Sequence, residues 1–228
     1  MLGFMTYYFP GNGPASWKQL LADPEKQWKV GKSARTLANC WEASVGFPPD
    51  VSAVLDASGY EQLSNLAFVA GFPEHKVKLP GGSRSSQTDV YVLGSNRYGL
   101  ASIAVEGKVL EPFGDTVADW LGDAPSKGKQ IRLRFLAENL SLDPDAIGDL
   151  RYQLLHRTVS AILEGRRLHA RTYTMLVHSW APNREGFDDY AAFAERLRGT
   201  PSINGITDTH VPNLYVGWVA GDPRWLNS

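Results

Sequence analysis

Three charged residues lie inside apolar runs of the stretch TDVYVLGSNRYGLASIAVEGKV, which extends from Thr88 to Val109. They are Asp89, Glu106 and Lys108. A buried strand normally excludes such groups, because an unpaired charge taken out of water is strongly destabilised unless its pKa changes and it becomes neutral. The three residues therefore indicate either frayed strand ends or a place where their side chains meet.

Their spacing is compatible with one shared sheet face. Because side chains alternate along a strand, Glu106 and Lys108 point to one face and Gly107 points to the other. If DVYVL and LASIAVEGK pair as a hairpin around GSNRYG, the register is compatible with Asp89 opposite Glu106. Two carboxylates and an ammonium group suit hydrolysis of a phosphodiester by Mg²⁺ or Mn²⁺, with the lysine assisting the attacking water.

The segments that must position these residues alternate between helical and β patterns. Helices are predicted near Ser16, after Ser33, in PDVSAVLDAS, weakly in IRLRFLAENL, from Asp143 through LHA, and in GFDDYAAFAERLRG. Strands are predicted in LAFVAGF, HKVKL, DVYVL, LASIAVEGKV, TYTMLVHSW and NLYVGWVAG. This order predicts a single α/β domain with a mixed central sheet flanked by helices, at residues 33–228, after an N-terminal arm and short helix at residues 1–32.

The motif and its setting resemble the PD-(D/E)XK nuclease-like, or restriction-endonuclease-like, superfamily. Its core is a helix, a three-strand meander, a second helix and a further strand, with an acid on the second strand and (D/E)-x-K on the third. Here TD ends in Asp89, and VEGK supplies Glu106 and Lys108. Thr88 stands where the motif's proline is expected. The resemblance covers the chain from about Ser33 to Trp180. The segments PEHKVKLPGG and AVEGKVLEPFG further resemble a bacterial branch of the superfamily.

The resemblance also implies residues outside the meander. WEAS offers Glu42 for the carboxylate that many members carry on the first core helix, and RYQLLHR resembles the second core helix. In that segment Gln153 and Arg157 are four residues apart, so one helix face can present both. The catalytic residues implied in this way are Asp89, Glu106, Lys108, Glu42 and Gln153. The metal ligands among them are the three carboxylates, Asp89, Glu106 and Glu42.

Two basic regions flank the predicted site. Residues 17–35 contain five basic and two acidic side chains, and residues 151–171 contain five basic and one acidic side chain. Since the formal net charge is only −1, any binding of a polyanion must depend on such local patches. DNA is the expected partner, and formation of a homodimer is a further possibility. The nucleic-acid contacts are predicted at Arg157, Arg151, Lys32 and Arg35.

Composition narrows the setting of the protein. The single cysteine, Cys40, excludes an intrachain disulfide framework and fits a reducing cytoplasm. No window reaches the roughly 18 apolar residues of a membrane span, and the opening MLGFMTYYFPGNG has no basic start followed by a long apolar run. The sequence therefore predicts a cytoplasmic protein without a membrane segment.

Other interpretations remain open at this level. Glu106 and Lys108 could also form an ordinary ion pair at a sheet edge. Asp89 could end a turn, and the basic residues could lie on solvated helix faces. The main functional alternative is a catalytically silent module that binds nucleic acid or a protein partner in a bacterial defence or mobile-element system. Hydrolysis of RNA or of a nucleotide is a third. Convergence of the Asp89 and Glu106 carboxylates would favour the enzyme.

Overall fold

The computed structural model describes residues 13–228, in which helices and strands are interleaved. The α-helices are α1 (Pro24–Gln27), α2 (Ser33–Glu42), α3 (Pro49–Ala57), α4 (Val117–Leu121), α5 (Lys127–Leu140), α6 (Tyr152–Arg167) and α7 (Phe187–Arg196). The strands are β1 (Ala67–Val77), β2 (Ser86–Asn96), β3 (Gly99–Lys108), β4 (Thr172–Ser179), β5 (Gly205–Asp208) and β6 (Leu214–Ala220). Short 3-10 helices span Pro14–Leu20, Pro144–Ala146 and Pro223–Asn227.

The strands form one mixed sheet in the order β1-β2-β3-β4-β6-β5. β1, β2 and β3 pair antiparallel as a meander, whereas β4 runs parallel to β3 and to β6, and β5 pairs antiparallel with β6. Helices cover both faces of this sheet. The predicted mixed α/β architecture with flanking helices is therefore confirmed.

Each face of the sheet packs against its own set of helices. On one face, Leu154 and Val159 of α6 pack in a cluster with Met175 of β4. On the other face, Leu37 of α2 lies in a second cluster with Val105 of β3. Because neighbouring side chains of a strand point to opposite faces, Glu106 and Lys108 lie on the α6 side.

The hairpin between β2 and β3 has the predicted register. Its pairs run from Asn96 and Gly99 at the turn to Val90 and Val105. The next row outward brings Asp89 beside Glu106, which is the arrangement that the sequence spacing predicts. Both acids therefore sit at the end of the meander that is remote from its hairpin turn.

Two predicted β runs, LAFVAGF and HKVKL, form the single strand β1. Pro73 lies within β1 rather than between two strands, because β1 is at the edge of the sheet. An edge strand tolerates a residue that lacks an N–H donor, since its outer side needs no ladder partner. The short strand β5 has no counterpart among the predicted strands.

The long helix predicted from Asp143 divides into the 3-10 helix Pro144–Ala146 and α6. Between them the backbone bonds to a neighbouring segment instead of continuing a helix, since the carbonyls of Leu150 and Gly148 accept from the N–H groups of Val117 and Ala118 at 2.8 and 2.9 Å. Ile147 and Leu150 are nevertheless buried, at 0% and 1% exposure. Their apolar spacing therefore indicated buried side chains correctly, but not a helix.

The described part of the predicted N-terminal arm packs against the domain. Ser16, near which a helix is predicted, lies inside a 3-10 helix, where its hydroxyl donates to the Gly13 carbonyl at 2.6 Å. Trp17 is 2% exposed and lies in the cluster that contains Leu37 and Trp41 of α2. Residues 1–12 of the predicted arm lie outside the described residues. Within residues 13–228, none of the helices is long and apolar enough to cross a bilayer.

Candidate active site

A cleft of about 360 Å³ opens where β1, β2 and β3 end beside α6. Its floor contains a row of three carboxylates across the meander, Glu74 on β1, Asp89 on β2 and Glu106 on β3. The cleft is also lined by residues 21–34 of the N-terminal segment and the start of α2: Leu21, Ala22, Lys26, Gln27, Lys32, Ser33 and Ala34. Three strands and one helix thus bring acids that are distant in sequence into one cavity.

Glu106 is the most completely bonded of the three acids. One of its oxygens accepts from the Arg157 Nε at 2.6 Å, and the other accepts from the Gln153 amide at 2.7 Å. Lys108 Nζ lies 3.0 Å from that second oxygen. Since the Glu106 side chain is only 3% exposed, these charged and polar partners are what makes its burial tolerable.

Lys108 is held from several directions at once. Besides its ion pair with Glu106, its ammonium donates to the Gln153 Oε1 at 3.0 Å and to the Pro112 carbonyl at 3.4 Å. It also lies 4.6 Å from the centre of the Phe113 ring, a cation–π contact. The ammonium is therefore fixed in position at the wall of the cleft.

Asp89 is joined to the same network by weaker contacts. Its Oδ2 accepts from the Gly107 N–H at 2.8 Å, and its Oδ1 lies 3.8 Å from a terminal nitrogen of Arg157. The Arg157 guanidinium therefore contacts both Asp89 and Glu106. The two carboxylates converge on one cation, as the hypothesis of a shared site requires.

Glu74 is a site residue that the sequence analysis missed. Its Oε2 accepts from the Gln87 amide at 2.7 Å, and it lies in the row between the pairs Pro73–Val90 and His75–Thr88, next to Asp89. Its φ of 49° is in the left-handed region, which is uncommon for a residue with a side chain. The signal for it in the sequence is an acid directly after the proline that interrupts two β runs.

The three acids have different proton affinities. Burial, followed by the charge of Glu106, raises the pKa of Asp89 to about 7. Burial, followed by the charge of Asp89, raises the pKa of Glu74 to about 8. Burial acts in the same direction on Glu106, but Arg157 and Lys108 outweigh it and lower its pKa to about 2. One acid therefore stays ionised, while burial and like charge make the other two bind protons near neutral pH.

Glu42 does not line this cleft. It lies at the C-terminal end of α2, where its carboxylate accepts from the Trp17 indole at 2.7 Å. The cleft is instead lined by Ser33 and Ala34, at the opposite end of the same helix. The structure therefore brings together Asp89, Glu106, Lys108 and Gln153 of the predicted catalytic residues, and it leaves Glu42 outside the cleft.

The predicted nucleic-acid contacts are in different environments. Arg157 is buried and bonded to Glu106. Arg151 donates to Asp189 and to the Gly114 carbonyl, both at 2.8 Å, and Lys32 lies at the rim of the cleft, 3.9 Å from Glu111. Arg35, on α2, is half-buried.

Much of the basic character of the two predicted patches is neutralised by acidic neighbours. The ion pairs are Lys18–Glu25, Lys26–Asp23, Lys32–Glu111, Arg151–Asp189, Arg157–Glu106 and Arg167–Glu164. Paired charges present little net field to a polyanion. The patches are therefore weaker sources of DNA affinity than the sequence count suggests.

A second group of possible metal ligands lies on the opposite face of the sheet. Cys40, Asp50 and His178 each place a ligand atom within 4.8 Å of the other two. However, the Trp41 indole donates to the His178 Nδ1 at 3.2 Å, so the proton of a neutral His178 is on Nε2, which lies 3.2 Å from Asp50. A cation on Nε2 would displace that proton. Burial also raises the pKa of the Cys40 thiol far above its usual range. Trp41 of α2, His178 of β4 and Asp50 of α3 form a hydrogen-bonded link between these elements.

The fold and cleft define a mixed α/β protein with a buried acid–lysine site at the end of an antiparallel meander. A model of the family described as a domain of unknown function, DUF6946, matches residues 10–223, and the chain belongs to that family. Neither the curated proteins nor the solved structures contain a match to the chain.

Proposed function

We propose that the protein hydrolyses phosphodiester bonds of DNA with Mg²⁺ or Mn²⁺, using a restriction-endonuclease-like core. The observation that carries the proposal is the convergence of Asp89 and Glu106 on one guanidinium, with Lys108 3.0 Å from Glu106. The order of α2, the β1–β3 meander, α6 and the parallel strand β4 supports the core. An isolated surface ion pair would have neither the second carboxylate nor the cleft.

The donor set fits a hard divalent cation. Carboxylate oxygens are the ligands that Mg²⁺ and Mn²⁺ prefer, and the cleft offers them from Asp89, Glu106 and Glu74. Burial and the neighbouring carboxylates raise the pKa values of Asp89 and Glu74, although Arg157 acts in the opposite direction on both. A cation held by these carboxylates would add positive charge beside them and would polarise a phosphate.

The side chains around the carboxylates have distinct tasks in this proposal. Lys108 presents a fixed ammonium to a phosphate oxygen or to the attacking water, where charge develops in the reaction. Gln153 orients Lys108 by accepting a hydrogen bond from its ammonium at 3.0 Å, and it holds Glu106 by donating to its carboxylate at 2.7 Å. Against the effect of burial, Arg157 and Lys108 lower the pKa of Glu106 to about 2, so that one carboxylate of the site is ionised at neutral pH.

One observation favours the alternative of a catalytically silent module. Both oxygens of Glu106 already have close donors, and its side chain is 3% exposed, so the residue is stable without an added cation. In that case Arg157 would occupy permanently the position that a cation takes in an enzyme. Binding without cleavage would be the activity of such a module.

Cleavage assays test the proposal directly. Supercoiled plasmid and circular single-stranded DNA are incubated with the protein and Mn²⁺ or Mg²⁺, and nicked or linear products are quantified. The variants Asp89→Asn and Lys108→Met are expected to lower the rate by about 100-fold or more. Asp145→Asn and Lys127→Met, which make the same changes on exposed residues, are expected to cut like the wild type. Cleavage that survives both site substitutions in folded protein would refute the site.

A further inference from the structure

A second cavity, of about 300 Å³, adjoins the acidic cleft. Lys108 and Gln153 line both cavities, so the two lie on either side of these side chains. The remaining lining residues of the second cavity are Pro112, Phe113, Gly114, Asp115, Tyr152 and His156. A ligand bound at the carboxylates therefore has a neighbouring space in which a connected group can lie.

The lining of the second cavity suits a nucleobase better than a phosphate. The aromatic lining consists of Tyr152, one face of which stacks on Trp120 at 4.0 Å with an interplanar angle of 8°, and of Phe113, which is 1% exposed and has the Lys108 ammonium over its ring. Burial and the charge of Arg157 hold the pKa of His156 well below its usual range, so this ring is neutral. Asp115 is exposed and would repel a phosphate, whereas a carboxylate accepts hydrogen bonds from the amino groups of bases.

The charge distribution around the cleft disfavours an uninterrupted duplex. Duplex binding depends largely on cations that neutralise phosphates of both strands, but the basic residues flanking this cleft are largely paired with acids, as Lys32 is with Glu111 and Arg151 with Asp189. Proteins that bind single strands obtain much of their affinity from aromatic surfaces that contact bases. The volumes of the two cavities lie near the lower end of the range for small-ligand pockets, about 300–1,000 Å³, which suits one nucleotide unit.

We propose that the strand bound at this site is single-stranded, with the base beside the reacting phosphate held in the second cavity. The inference rests on the proposed function, because it takes the carboxylate cleft as the phosphate site. An unpaired strand can turn its base away from the backbone without opening base pairs, whereas a duplex must first lose pairing and stacking. The protein therefore prefers single strands, overhangs and gaps to blunt duplex.

Binding is measured by fluorescence anisotropy in Ca²⁺, with a labelled single strand and the blunt duplex of the same sequence. The single strand is expected to bind the wild type at least about tenfold more tightly. Tyr152→Leu is expected to weaken single-strand binding about tenfold, the order expected for loss of one stacked base, while Tyr152→Phe preserves it. Tyr98→Leu makes the same change at the distant β2–β3 turn and should have no effect.

The outcomes separate this inference from the proposed function. Equal or tighter binding of the duplex by the wild type overturns the preference for single strands. A wild type that binds neither oligonucleotide overturns it as well. Both results count regardless of how the variants behave. If Mn²⁺ still stabilises the wild type through Asp89, the metal site stands although the strand preference has failed. Unchanged single-strand binding by folded Tyr152→Leu overturns the assignment of the base to the second cavity.

Discussion

The carboxylate of Asp89 accepts a hydrogen bond from the Gly107 backbone N–H at 2.8 Å, which ties the acid of β2 to the residue between Glu106 and Lys108. On its other side Gly107 faces α2, where an added Cβ would lie 3.3 Å from the Leu37 Cδ1. The glycine therefore lets α2 pack closely while its N–H orients the carboxylate. The central x of the E-x-K motif has a structural role in the site.

The first prediction concerns stabilisation by metal. A cation that binds only the folded state adds RT ln(1 + [L]/Kd), about 1.4 kcal/mol at roughly tenfold excess over Kd. For a chain of this size, Mn²⁺ should raise the melting temperature of the wild type by about 3–5 °C relative to chelator. The same ion should stabilise Asp89→Asn hardly at all, since the neutral amide is a weaker ligand. Thermal melts of both proteins with Mn²⁺ and with chelator provide the measurement.

The control for that melt is Asp50→Asn, because Asp50 belongs to the other group of possible ligands, with Cys40 and His178. We expect this variant to keep the Mn²⁺ response of the wild type. A response that disappears in Asp50→Asn and persists in Asp89→Asn would move the cation to the opposite face of the sheet.

The second prediction is that the metal-free protein loses stability as the pH rises from about 5 to 8. In the unfolded chain both Asp89 and Glu74 titrate near pH 4, whereas their folded pKa values are about 7 and about 8. Between these limits the folded state holds protons that the unfolded state has released, so the free energy of unfolding falls with increasing pH. Glu106 acts oppositely: its lowered pKa contributes stability above about pH 4.5, lost as the pH falls towards 2.

Denaturant unfolding in chelator at several pH values measures this effect. Asp89→Asn removes one of the titrating groups, so its stability relative to the wild type should improve from pH 5 to pH 8, by on the order of 1 kcal/mol or more. Asp145→Asn, an exposed substitution, should follow the wild type across the range. A constant difference between wild type and Asp89→Asn would show that the folded pKa of Asp89 is not raised.

The β2–β3 register could be predicted from sequence because it depends on local features. A hairpin around GSNRYG has few possible registers, and the alternation of side chains then decides which residues share a face. Glu74 could not be found in this way. Its place beside Asp89 depends on a strand that continues through Pro73, which is allowed only because β1 is at the sheet edge.

Glu42 shows a different limit of sequence reasoning. The sequence predicts a helix there correctly, but it does not specify which end of the helix meets the sheet edge, and the N-terminal end does so here. The ion pairs of the basic residues cannot be predicted from sequence either, because Arg151 and Asp189 are 38 positions apart and meet only in the folded chain. Local patterns thus predicted the elements and the motif, whereas the electrostatic partners depended on tertiary packing.

The third prediction tests how α6 is seated on the sheet. A Cβ at Gly165 would overlap the ring of Tyr173 and lie 2.9 Å from the Ser102 Cβ. Gly165→Ala should therefore destabilise the protein by about 1–3 kcal/mol, although alanine is the better helix former. Gly148→Ala has ordinary contact with Ala118 at 3.6 Å and is the matched control, expected within about 0.5 kcal/mol of the wild type. Similar free energies of unfolding for the two variants would contradict the close approach.

The fourth prediction tests whether the Arg157 guanidinium and a metal ion from solution compete for the same carboxylates. Arg157 is 7% exposed and lies 2.6 Å from Glu106, so Arg157→Met leaves a buried carboxylate with Lys108 as its remaining ion-pair partner. Removing one member of a buried pair typically costs about 3–5 kcal/mol, which denaturant unfolding in chelator would detect.

Because Asp89 also loses positive charge, Mn²⁺ should stabilise this variant by more than it stabilises the wild type. Arg151→Met, which breaks a more exposed pair with Asp189, should cost less and leave the Mn²⁺ response unchanged. If Mn²⁺ stabilises Arg157→Met only as much as the wild type, the guanidinium does not compete with a cation at these carboxylates. If Mn²⁺ stabilises neither protein, the catalytically silent module becomes the better account of the cleft.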